Sequence, residues 1–188
     1  MLFQKIFFFP FGIFLFFAPQ TLLAQELIPP EQINLSGRVF NLAYKSATKN
    51  GRAIYEYTAN GENIENWTTL VTLNYAKDVN VTPEKWVKSV GISLEATKPK
   101  PHYKLYLKAD HGFARFIFEP DPNNPTYESN VHKSFHMGAC GTVVFQYASK
   151  HPMGEDPANS GTLLKTINTE NEKMAADLEQ SDWKPTCN

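Results

Sequence analysis

Residues 103–119, YKLYLKADHGFARFIFE, decide the fold class. Tyr103, Leu105 and Leu107 fall on one face and Lys104, Tyr106 and Lys108 on the other, which is the period of two that a strand imposes. Asp110-His111-Gly112 reads as a tight turn, and Phe113 to Glu119 runs back. The segment is an antiparallel hairpin, so the sheet is built from local pairings.

Working upstream, Thr82-Pro83-Glu84 starts a helix. The threonine caps, the proline is set for the first helical position, and the glutamate meets the positive helix end. Trp86, Val87, Val90 and Leu94 recur at helical spacing, and Gly91 either weakens the helix or marks a close approach to the sheet. The Lys98-Pro99-Lys100-Pro101 run ends it. Before this helix, β-branched Thr68, Thr69, Val71 and Thr72 favour a strand over about 67–76, preceded by a turn at 62–66. Asn50-Gly51 and Asn60-Gly61 are turn signals. Residues 52–58 alternate, with Ala53, Tyr55 and Tyr57 on one face. The segment 36–45 gives a first strand, with Val39, Leu42 and Tyr44 in imperfect alternation. Residues 25–35 read as a proline-containing leader into the domain.

Working downstream, PDPNNP at 120–125 breaks the chain, and 127–136 and 141–147 are two more strands. Residues 150–162 read as a loop, broken by Pro152, Gly154 and Pro157. A last helix starts at Thr166 or Asn168, carries Ile167, Met174 and Leu178 inward, and stops near Trp183 before Pro185. The expected fold is α+β: a mostly antiparallel sheet of about seven strands packed with two helices.

The chain opens with Lys5, a phenylalanine-rich apolar run from Ile6 to Ala18, and a small residue at Ala24. That order predicts a secretory signal peptide over residues 1–24, leaving 25–188 as a single exported domain, periplasmic or secreted. The apolar run is about 13 residues, short of the roughly 20 that a membrane-spanning helix needs. The remaining part carries 17 basic and 19 acidic side chains. That balance offers no electrostatic case for nucleic acid or for a membrane surface after cleavage. Cys140 and Cys187 are the two cysteines, and export predicts that they pair as a disulfide. Asn34, Asn66 and Asn80 head glycosylation sequons, which count only in a eukaryotic secretory pathway.

The candidate chemistry is sparse. His132, His136 and Cys140 are spaced by four, a reasonable residue set for zinc or copper. On one straight strand, however, the two histidines stand about 13 Å apart, too far for a shared ion. No metal and no cofactor is expected. A hydrolase would have to use Cys140 as nucleophile, or two of the loop carboxylates Asp110, Glu119, Asp121 and Glu128. No nucleophile-elbow, zinc-protease, phosphate-loop or calcium-loop motif is present. The leading expectation is a small exported non-catalytic binding or inhibitory protein, for example a periplasmic immunity or inhibitor protein. Its partner would be a protein or small ligand, with Trp67 and Tyr127 as binding anchors beside turn-rich segments. An exported hydrolase and an envelope-assembly component are the alternatives.

Overall fold

The structure is a computed structural model that describes residues 25–122, 124–153 and 160–188. The expected signal peptide lies outside the described residues. The fold is α+β. The strands are β1 (Leu27–Ile28), β2 (Gln32–Leu35), β3 (Arg38–Ala47), β4 (Arg52–Thr58), β5 (Thr69–Ala76), β6 (His102–Lys108), β7 (His111–Phe118), β8 (Thr126–His136), β9 (Thr142–Pro152) and β10 (Thr186–Cys187). Helix α1 (Pro83–Ala96) separates β5 from β6, and α2 (Ser160–Gln180) follows β9. Eight strands form one antiparallel sheet in the order β2-β3-β4-β5-β9-β8-β7-β6, and β1 pairs with β10 in a small second sheet. The chain therefore runs one meander from β2 to β5, crosses through α1 to the far edge, and meanders back until β9 meets β5.

The short β1 and β10 leave no sign in the sequence, and the main-sheet strand that the sequence hides is β2. Pro29-Pro30 mark its approach as a leader, yet Ile33 and Leu35 alternate inward and pair with β3. On β3 the inward residue is Phe40, while Val39 is exposed. An extra residue at Ala43 then shifts the register between Leu42 and Tyr44, so Leu42 faces the core and Tyr44 faces out. That bulge is why the alternation looks imperfect.

The helices cover opposite faces. Trp86 and Leu94 of α1 pack with Ala114 and Phe116 of β7, joined by Tyr103 and Leu105 of β6. Thr82 caps α1 as expected, its hydroxyl accepting from the Lys85 amide at 3.4 Å. The larger core lies on the other face, where Phe40, Tyr57, Val71, Leu73, Val131, Phe135, Val143 and Phe145 meet Ala175 and Leu178 of α2. Helix α2 begins six residues before the expected Thr166. Ser160-Gly161-Thr162 is a weak helical sequence, so it reads as loop although the chain is already wound. Trp183 lies beyond the helix and packs edge-on to Phe135 and Phe145, with ring centroids 5.7 and 5.0 Å away.

The tail is held by the Cys140–Cys187 disulfide, whose Cα atoms are 6.4 Å apart. With a sequence separation of 47, chain-entropy reasoning puts its contribution at about 4 kcal/mol. Beside it, β1 pairs Leu27 with Cys187, and Lys77 bonds Glu26 at 2.5 Å.

Gly112 is not part of the turn. The 6–7 hairpin turns at Ala109-Asp110, with Ala109 at φ 48°, and Gly112 already pairs with Leu107. It is glycine because α1 sits on it: a Cβ there would lie 2.7 Å from Trp86 Cε3 and 2.9 Å from Val87 Cγ2 and Ser134 Oγ. Gly161 meets nothing within 4 Å. Gly112→Ala should therefore destabilise by about 1–3 kcal/mol through overpacking, while Gly161→Ala should be neutral or stabilising. Urea unfolding of both variants checks this, and a Gly112→Ala protein as stable as the parent would contradict the packing.

Candidate functional site

Strands β5, β9 and β8 lie side by side, and their register sets Thr69 opposite Ser149 and Ser129 opposite Ser149. Three hydroxyl side chains thus form a row across the α2 face, where the neighbouring row, Val71, Tyr147 and Val131, is core. Asn171 of α2 comes down onto this row, its amide nitrogen donating to Ser129 Oγ and to the Asn130 carbonyl, both at 2.9 Å. Thr69 is 8% exposed, and its hydroxyl is buried with no hydrogen-bond partner among the described residues. An unpaired buried hydroxyl costs free energy unless something is bound to it.

This row lines a cavity of about 440 Å³ between α2 and the strand ends, within the size range of small-molecule sites. Arg38, Tyr147, His151, Glu170 and Lys173 also line it. Tyr147 has its hydroxyl pKa raised by burial, with the Arg38 charge pulling in the opposite direction. The β2–β3 turn closes one side, since Ser36 Oγ donates to Asp177 Oδ2 of α2 at 2.7 Å. That bond, and one from Lys173, hold the Asp177 carboxyl below its ordinary range. On β9, Ser149 Oγ lies 3.0 Å from His151 Nε2, and His151 Nδ1 lies 3.8 Å from Glu170 Oε2.

The residues singled out from sequence fall elsewhere. Trp67 is outside the lining, but its ring lies 3.9 Å from the ammonium of Lys150, and Lys150 and the adjacent Thr68 do line the cavity. Tyr127 is buried with Ile117 and Ile167. Cys140 is 1% exposed and bonded to Cys187, so it presents no thiol to act as nucleophile or metal ligand. His132 and His136 lie on β8, on the α1 face, with His132 edge-on to Phe116 at 4.8 Å and His136 exposed. Among the described residues, no three His, Cys, Asp or Glu side chains gather as a metal set. Glu119, Asp121 and Glu128 line a second cavity of about 300 Å³ together with Lys98 and Lys100. Glu119 bonds His102 at 3.0 Å, Glu128 accepts from Asn130 at 3.1 Å, and Asp121 accepts from the Asn124 amide at 3.1 Å. Asp110 lies apart, in the β6–β7 turn.

A family model matches residues 27–183. The chain belongs to that family. The match runs from β1 to Trp183 and includes every residue of the cavity. No curated protein and no solved structure matches.

Sequence reading missed the cavity residues because they meet only through the β5–β9–β8 register. The local signal was the alternation Tyr147, Ser149, His151, which is legible once β9 is carried on to Pro152.

Burial lowers the His132 pKa to about 3, and burial also lowers that of His111. The unfolded chain therefore takes up protons below about pH 6.5 that the folded one refuses, and stability falls as pH drops. Paired carboxylates such as Asp177, lowered by their hydrogen bonds, add their loss only below about pH 4.5. Between pH 7 and 5 the histidines dominate. Chemical denaturation across that window should show falling stability, with a shallower fall in His132→Phe, which retains the aromatic contact. An identical slope in both proteins would contradict the assignment.

Proposed function

We propose that this family member is an exported domain that works by binding, and that its ligand occupies the cavity between α2 and strands β5, β9 and β8. The single observation that carries this reading is the cavity's polar lining, where Arg38, Ser149, His151 and Lys173 surround one space of about 440 Å³ beneath α2. The surrounding groups state the ligand chemistry. Arg38 supplies a bidentate cation, and Lys150 and Lys173 supply further positive charge. These suit a ligand with acceptor oxygens, such as a carboxyl group. Trp67, against the cavity-lining Lys150, holds the part of the ligand or partner that projects from the cavity.

Export is supported by the order of charge, apolar run and small residue over 1–24, and by the disulfide, which needs an oxidising compartment to persist. Among the described residues, no helix is long and apolar enough to cross a membrane. The mature protein should begin at or within a few residues of Gln25.

The test uses acetate as the carboxylate probe. Titration of the isotopically labelled mature protein, with sodium chloride at matched ionic strength as the control, should give saturable shifts of the Thr69, Ser149 and Asn171 amides. Arg38→Gln should weaken them. Shifts that never saturate, or that lie elsewhere on the surface, would contradict the site.

A further inference from the structure

Binding alone leaves one arrangement in the cavity unused. Ser149 and His151 stand two apart on β9 and so share its α2 face. The Ser149 hydroxyl meets His151 Nε2 at 3.0 Å, and the opposite ring nitrogen faces the Glu170 carboxylate at 3.8 Å. His151 is 20% exposed and Glu170 60%, so the base is sheltered while the carboxylate reaches it from the solvent side of α2. Hydroxyl, imidazole and carboxylate are in the order that nucleophilic acyl transfer requires, and they come from two packed elements. We propose that Ser149 is the nucleophile of an ester-hydrolysing site, with His151 as its base and Glu170 as a positioning residue. This rests on the cavity being a ligand site.

The chemistry follows from the geometry. The carboxylate beside Nδ1 favours the tautomer protonated there, which leaves the Nε2 lone pair towards Ser149. The 3.8 Å gap is longer than a hydrogen bond, and such contacts tighten when a substrate is bound. Ser149 Oγ attacks the ester carbonyl carbon and its proton passes to Nε2. The tetrahedral intermediate collapses, the C–O bond to the alcohol breaks, and the departing oxygen takes the proton from Nε2. A water then attacks the acyl-serine, gives its proton to Nε2, and the second collapse returns that proton to Ser149 Oγ and releases the carboxylic acid. Ester and water become alcohol and acid, with no other reactant.

The negative oxygen of each intermediate needs a donor. The backbone around Ser149 is committed to ladders with β5 and β8, so side chains must provide it. Arg38 lines the same cavity and supplies that donor together with its positive charge. The small cavity fits an ester of a small acid.

The mature protein is treated with a fluorophosphonate, digested and mapped by mass, and separately assayed with 4-nitrophenyl acetate. The adduct should sit on Ser149, and turnover should be lost in Ser149→Ala. His151→Gln should lower kcat by at least about 100-fold. Glu170→Gln should lower kcat with unchanged melting temperature and leave acetate binding intact. Should Ser149→Ala fold poorly, the adduct on the parent protein and the loss of turnover in His151→Gln still decide. No adduct and no turnover above the unfolded protein, with acetate still saturating the cavity, would overturn the hydrolase and leave the binding site standing. Absence of acetate binding as well would remove both.

Discussion

The β5–β9 ladder is the constraint on which the rest depends. It joins two meanders that are otherwise separate, pairing Thr69 with Ser149 through to Ala76 with Thr142. The strands meet only after α1 has carried the chain across to β6 and three hairpin connections have brought it back. The core crosses this seam, since Val71 and Leu73 from one side and Val143, Phe145 and Tyr147 from the other pack in one cluster. Burial of that apolar surface, at about 25 cal/mol per Å², offsets the entropy of closing so long a connection. The cavity lies at the end of the same seam. Its hydroxyl row exists only because Thr69 of the first meander faces Ser149 of the second.

Placing α2 over that row takes a second set of contacts. Lys133 of β8 is 4% exposed and stands among the rings of Phe113 and Phe135, its ammonium 5.8 and 5.1 Å from their centroids. Burial lowers its pKa. It donates to the Leu178 carbonyl at 3.2 Å, one of the carbonyls left open at the end of α2. Glu179 reaches back to Tyr106 and Lys108 of β6, and Arg115 of β7 bonds Glu172 at 2.9 Å. Asn171 pins the middle of the helix to β8. One helical position before Asn171 is Glu170, so the contacts that fix the helix also fix the carboxylate beside His151. The exposed ion pairs contribute little individually; the buried lysine and asparagine set the register.

Much of the fold was legible because its signals are local. The alternation of 103–108, the Thr82-Pro83 start of α1 and the Asn50-Gly51 turn each describe a few neighbouring residues, and each is found where the sequence places it. What was not legible depends on partners. Ile33 and Leu35 alternate too briefly to be told from a leader until β3 is beside them. The bulge at Ala43 exists only relative to β4. Gly112 reads as a turn residue until Trp86 is seen to rest on it. The site was the least legible part. Ser149 and His151 fall past the last apolar residue of β9, where Pro152 suggests a loop, and Thr69 and Glu170 are brought to them by sheet register and helix placement. The chemistry-bearing residues visible as a cluster, His132, His136 and Cys140, are divided between one strand face and a disulfide.

A crystal structure of the mature protein grown with acetate tests the central claim most directly. The account predicts a carboxylate within hydrogen-bond distance of Ser149 Oγ, with Arg38 turned towards it. An open cavity holding only water, with Arg38 turned away from it, would contradict it.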